Sequence, residues 1–224
     1  MNNSDFVVDW ETIGTTPDSV VLSLAFTPFK RDELKTFQEY IDDTYYWKFE
    51  LSHQIELGRV TNQSTLDWWE KQDPEVKNSQ FEPTPDDVDL VTMLRELKAA
   101  CQEHNITNKS MGWCRGTSFD FPIFTNIIDQ VKDQIPPDEM KLNGAFFPCA
   151  FWNQRDIRSY IAGLMVDPEL TRVPLPKGSI DGFKHHDPIH DCARAILHIK
   201  YAEAYAKGEI EIPEKGDVDE NSNK

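Results

Sequence analysis

The sequence predicts one α/β domain built on a mixed, mainly five-stranded sheet flanked by helices. Apolar runs at residues 6–11, 20–26 and 45–49 read as three strands, the first two joined by a polar loop with Gly14 and Pro17, which is an antiparallel start. A helical stripe of Val88, Val91, Leu94 and Leu97 then precedes the short apolar run at 110–114, and a strand reached through a helix pairs parallel with the first. Amphipathic patterns after that strand and late in the chain supply the covering layers.

Taken in order, the first strand carries Asp9-Trp10-Glu11, and the second is apolar at consecutive positions, as a strand buried on both faces would be. Residues 64–72 read as a helix with Ser64 as N-cap and Asp67 three residues on. Its adjacent Trp68 and Trp69 cannot both face the core, so one belongs at a core edge or along a groove. Residues 74–85, acidic and proline-bearing, read as a surface connection. The next helix is expected to open at Thr84-Pro85, with Asp86, Asp87 and Asp89 in its first turns, where the helix dipole favours them. Beyond 110–114 come a helix with Ile123, Ile127, Ile128 and Val131, a short last strand at 146–151, and a helix bearing Ile157, Ile161 and Leu164. An irregular stretch at 166–188 follows, of a length that usually serves function or moves. Residues 189–207 close the domain as an amphipathic helix.

The 224 residues are enough for one well-filled core, and no apolar run approaches a membrane span. Met-Asn-Asn-Ser-Asp at the N-terminus lacks the basic and apolar segments of a secretion signal, so the expected location is cytoplasmic, with no membrane partner. Cys101, Cys114, Cys149 and Cys192 show no zinc spacing and sit in apolar surroundings, as reduced thiols do. A net charge of −16 argues against a protein that coats nucleic acid generally, which needs a basic face to release counterions. It does not exclude an enzyme whose carboxylates hold metal ions, because the ions cancel that charge locally. Part of the acidity follows Gly208, where six carboxylates face Lys215 and Lys224 with no apolar run after Ile212. Residues 208–224 are therefore expected to be a disordered acidic tail behind a domain of residues 1–207.

The chemistry starts from Asp9 and Glu11. Alternate side chains of a strand share a face, so the two carboxylates point the same way. They repel unless a cation sits between them, and all-oxygen ligands suit Mg2+ or Mn2+. Asp120 lies at a strand-to-helix junction, and Asp191 lies near the start of the last helix, in H-x4-D spacing from His186. Each also suits a structural role: Asp120 as a helix cap, Asp191 as a first-turn acid, His186 as a surface or core ring.

Together, D-x-E in the first strand, an aromatic-Asp before a helix and H-x4-D at the last helix resemble the DEDDh class of 3'-5' exonucleases, on the ribonuclease H-like fold. The resemblance runs from about Phe6 to Tyr205, and strings such as Gly112-Trp113-Cys114-Arg115-Gly116, Phe151-Trp152-Asn153-Gln154-Arg155-Asp156 and Pro174-Leu175-Pro176-Lys177-Gly178 are similar to members of that class from T-even-like bacteriophages. It implies Asp9, Glu11, Asp120 and Asp191 as metal ligands, His186 as general base, and two divalent metal ions, Mg2+ or Mn2+. The implied reaction releases nucleoside 5'-monophosphates from DNA 3' ends. His186 is preferred to His185 and His190 because it alone has the H-x4-D spacing to Asp191. Trp10 departs from the phenylalanine common between the two acids of the first motif, on the side away from the ligand face. The implied partners are nucleic-acid 3' ends, with DNA favoured. Trimming of RNA ends is the alternative, a non-catalytic interaction module is the rival from another class, and homo-oligomerisation is left open. Thr12, Arg155, Asp156 and Lys177 are candidates for substrate contact, beside ordinary structural or solvated roles, and Arg115, Lys184 and His185 are weaker candidates for phosphate.

Overall fold

In the computed structural model, which describes residues 3–136 and 148–222, the first apolar run is strand β1 (Asp5–Thr12), in the middle of the sheet. β2 (Val21–Phe29) pairs antiparallel along its full length, from Asp5 opposite Phe29 to Thr12 opposite Val21, with an irregularity between Glu11 and Thr12. Helix α1 (Phe37–Asp42), closed at its start by a Thr36–Glu39 capping box, leads into β3 (Tyr45–Lys48), antiparallel to β2. Three short helices follow, α2 (Leu51–Glu56), α3 (Gln63–Trp69) and α4 (Pro74–Phe81). α5 (Leu90–Glu103) then crosses to β4 (Gly112–Cys114), parallel to β1. After α6 (Asp120–Val131) and one turn of 3-10 helix at Phe151–Asn153, β5 (Gln154–Asp156) adds parallel to β4. α7 (Ile157–Met165) and α8 (Pro188–Lys207) complete the layers, and the sheet order is β3-β2-β1-β4-β5, the mixed five-stranded sheet expected.

The alternation of β1 divides the core. Phe6, Val8 and Trp10 enter the layer beneath α5 and α6, while Val7 enters the layer beneath α7 and α8. Each fully buried large apolar side chain contributes about 1.5–3 kcal/mol. Asp5 fixes the parallel edge: it accepts the Met111 N–H at 2.8 Å and the Trp113 indole N–H at 3.2 Å, and pairs with Arg31 at 2.6 Å. Gly112 permits the close approach of β4, since a Cβ there would lie 2.6 Å from the Phe6 ring and 2.8 Å from Cys149 Sγ.

Four local expectations are corrected. The stretch 74–85 is not a simple connection, for it contains α4, with Asp73 as N-cap and Pro74 in the first turn, where its missing N–H costs nothing. The following helix opens at Leu90 rather than Thr84, because Asp89 caps it, accepting from Thr92 N–H at 2.8 Å, while Val88 N–H is taken by the Lys48 carbonyl at 2.9 Å. Asn62, not Ser64, caps α3. The strand expected at 146–151 is instead Gln154–Asp156, and residues 146 and 147 lie outside the described residues.

Residues 208–222 differ from the disordered tail expected. Gly208 ends α8 in the left-handed conformation (φ 71), and the chain returns to pair Val218 with Pro176. The buried Ser222 accepts Leu175 N–H at 2.9 Å and donates to the Val173 carbonyl at 3.2 Å. Backbone pairing, Ser222 and the buried Asp219, whose carboxylate accepts Gly178 N–H at 3.1 Å, hold this segment with Arg194, which donates to the Asn221 carbonyl at 3.4 Å, and none of these leaves an apolar periodicity to read. No helix among the described residues is long and apolar enough to cross a membrane.

Candidate active site

The face of β1 that carries Val7 toward α8 also carries Asp9 and Glu11, as the two-residue period of a strand requires. α8 starts beside them. Asp187 caps it by accepting Ile189 N–H at 3.1 Å, Pro188 takes its first position, and Asp191 falls in its first turn. One carboxylate oxygen from each of Asp9, Glu11 and Asp191 lies within 4.8 Å of the others.

Such proximity is costly without a counter-charge. Burial raises the carboxyl of Asp9 well above its ordinary value, and the charges of Asp191 and Asp120 raise it further. Glu11 is raised the same way, by burial first and then by Asp9, Asp191 and Asp120. Asp120 opens α6 and is 4% exposed; burial pushes its carboxyl up to about 7. It accepts the Trp10 N–H at 3.4 Å, beyond the point where β4 stops pairing with β1. The intervening Trp10 side chain packs into the opposite layer, against Phe49 and Phe124, and leaves the acidic face clear. Hard oxygen donors, clustered and repelling one another in a half-buried cleft, fit divalent cations.

His186 lies beside this cluster. Its backbone is left-handed (φ 61) and its N–H donates to Asp191 Oδ2 at 3.1 Å. The ring stands edge-on to Trp68, with centroids 4.8 Å apart and planes at 84°. Burial lowers its pKa below the ordinary imidazole value, outweighing the opposite pull of Asp191. His190 has another task, since its Nδ1 accepts the Lys184 N–H at 3.0 Å and its ring packs edge-on against Phe37.

The two tryptophans of α3 divide their roles. Trp69 is 1% exposed and donates its indole N–H to the Thr12 carbonyl at 3.0 Å, whereas Trp68 is 39% exposed and borders the site. Arg194, which the sequence reading passed over, forms a 2.5 Å ion pair with Asp191 Oδ1 and lies over the Phe183 ring at 4.0 Å. Its position three residues after Asp191 on a helix was the available signal.

The four candidate substrate contacts hold structural bonds. The Thr12 hydroxyl donates to the Gly14 carbonyl at 2.6 Å. Arg155 folds onto the carbonyls of Trp152 and Gln154, each at 2.8 Å, and Asp156 caps α7 by accepting Ser159 N–H at 2.8 Å. Lys177 is exposed, and its backbone N–H meets the Asp217 carbonyl at 2.7 Å. No ion pair or side-chain hydrogen bond among the described residues joins Arg155, Asp156 or Lys177 to the four acids. Of the weaker phosphate candidates, Lys184 pairs with Glu75 at 2.9 Å.

A D-x-E strand facing a helix start where H-x4-D joins a loop histidine to a first-turn acid, on this sheet, is the arrangement of a DEDDh-class 3'-5' exonuclease. The chain belongs to the family of the 3'-5' exoribonuclease Rv2179c-like domain, whose family model matches residues 4–205. It is 39% identical over 219 residues to the exodeoxyribonuclease of Enterobacteria phage T4, covering 96% of each chain. Among solved structures, it resembles the zinc-bound complex of E. coli exonuclease I with single-stranded DNA, at a TM-score of 0.55 and 11% identity over 93% of this chain. The complex of E. coli exonuclease I with a dA16 oligonucleotide gives 0.54 and 10% over the same share. The chain spans 42% of the length of each of those two structures.

Proposed function

We propose that Asp9, Glu11, Asp120 and Asp191 hold two divalent cations, Mg2+ or Mn2+, in a 3'-5' exonuclease that uses His186 as general base and acts on DNA. The observation that carries this reading is the meeting of Asp9, Glu11 and Asp191 oxygens within 4.8 Å, with the backbone of His186 bonded to Asp191. When bound, the ions would neutralise the phosphate and ease deprotonation of a water. Neutral His186 accepts that water's proton, and burial, which lowers its pKa, favours the neutral ring that this role needs. Asp191 is kept in place by Arg194, and Trp68 bounds the side from which a strand would enter.

The phage T4 relative supports DNA as substrate, and the name of the matching family supports RNA as the second reading. The four cysteines are buried and free, which suits work in a reducing cytoplasm. The experiment is hydrolysis of 3'-labelled and 5'-labelled single-stranded DNA and RNA with Mg2+, Mn2+ or EDTA, beside Asp9→Ala and His186→Ala. Metal-dependent ladders shortening from the 3' end, lost in both variants, are the expected result, and their relative rates identify the sugar. Normal metal-dependent activity in Asp9→Ala would overturn the proposal.

A further inference from the structure

Next to the carboxylates, three guanidiniums and an imidazole converge from three segments: Arg115 just after β4, Arg172 in the loop after α7, and Arg194 and His198 one turn apart on α8. His198 is fully buried, and neither ring nitrogen makes a hydrogen bond of good geometry, although the Val173 backbone is near. Arg115 donates from Nη1 to the Thr171 carbonyl at 3.3 Å, while its Nε and Nη2 are sealed from solvent with no acceptor. Arg172 Nε is in the same condition. These groups feel one another: burial lowers Arg115 to about 9, with Arg172 and Arg194 adding to the effect, and all three guanidiniums act on His198.

Buried donors are ordinarily paired, and facing guanidiniums repel, so the cluster suits an anion with several acceptor oxygens. A tetrahedral phosphate has those oxygens and matches the fork of an arginine. Arg115 and Arg172 are only partly buried, which leaves a path inward. We propose that Arg115, Arg172 and His198 form a phosphate-binding site, tied to the acidic cluster through the Arg194–Asp191 ion pair. The phosphate comes either from the backbone of a bound strand or from a free ion or mononucleotide. The site stands on its own donors and is independent of the nuclease reading.

The test uses the full chain in EDTA, which removes metal-dependent hydrolysis from the measurement. Inorganic phosphate, thymidine 5'-monophosphate and a thymidine dinucleotide lacking a terminal phosphate are titrated by calorimetry at constant ionic strength. The proteins are the wild type, Arg172→Gln, Arg115→Gln and Asp9→Asn, with histidine NMR signals followed in parallel. Saturable binding is expected in the wild type and in Asp9→Asn, at least tenfold weaker in each arginine variant, with a shifted His198 signal. Binding of the dinucleotide alone assigns a strand phosphate, and binding of phosphate or the mononucleotide assigns the free source; either supports the site. No saturable binding of any of the three, or equal binding in both arginine variants and the wild type, would overturn it.

Discussion

The indole of Trp68 stands edge-on to the imidazole of His186, their ring centroids 4.8 Å apart. His186 sits in a loop with left-handed backbone, so its direction depends on what it packs against. Trp68 supplies that contact from a helix that Trp69 fixes to β1 through the Thr12 carbonyl. The neighbouring indoles therefore locate the His186 imidazole relative to the strand that bears the acids.

This relationship predicts a non-additive pair. His186→Ala should lower kcat by about 10²–10⁴-fold, the usual worth of a general base. Trp68→Ala should lower it by about tenfold, through misplacement of the ring. If Trp68 acts through His186, the double variant will be no slower than His186→Ala alone. Single-turnover rates on a 3'-labelled oligonucleotide measure the cycle, and a further tenfold loss in the double variant would assign Trp68 to another role.

The acidic cluster predicts the pH dependence of the metal-free protein. Asp9, Glu11 and Asp120 have folded-state pKa values above those of free carboxylates, with Asp120 at about 7. Between the unfolded value, about 4, and the raised folded value, the folded state binds more protons than the unfolded chain. Their contribution is therefore fully present at low pH and is lost as pH rises through the folded values. In EDTA at pH 7.5, Asp9→Asn should melt about 3 °C or more above the wild type, and the gap should close toward pH 4. Mg2+ should raise the wild-type midpoint at pH 7.5 and do so much less in Asp9→Asn. Scanning calorimetry at both pH values decides the matter, and an Asp9→Asn protein less stable than wild type in EDTA at pH 7.5 would contradict it.

Ser222 predicts a measurable cost far from the acids in sequence. Its hydroxyl serves both Leu175 N–H and the Val173 carbonyl, inside the structure. Ser222→Ala leaves those two groups without partners and should destabilise the protein by about 1–3 kcal/mol in urea unfolding. Proteolysis should also accelerate in the loop that includes Arg172 and His186. An unchanged urea midpoint would mean that water replaces the hydroxyl.

The centre of this fold was legible because β1 states its period directly. Val7, Asp9 and Glu11 on one face and Phe6, Val8 and Trp10 on the other follow from alternation alone. The closing helix was legible from Pro188 and the apolar stripe beyond it. α4 was not, because an acid followed by proline marks a helix start as readily as a linker. The docking of 208–222 escaped for a different reason, since backbone pairing has no residue signature. The convergence of Arg115, Arg172 and His198 was equally hidden, being made by three segments that only the topology brings together.

Asp9 and Glu11 belong to the first strand, and Asp191 belongs to the last long helix. During translation the strand leaves the ribosome long before the helix is made, and their contact must wait for the intervening chain. A nascent polypeptide thus carries the strand's carboxylates apart from their partner on α8. The acidic cluster therefore comes together only once the last long helix has been made, and a chain cut short before it would keep Asp9 and Glu11 without Asp191.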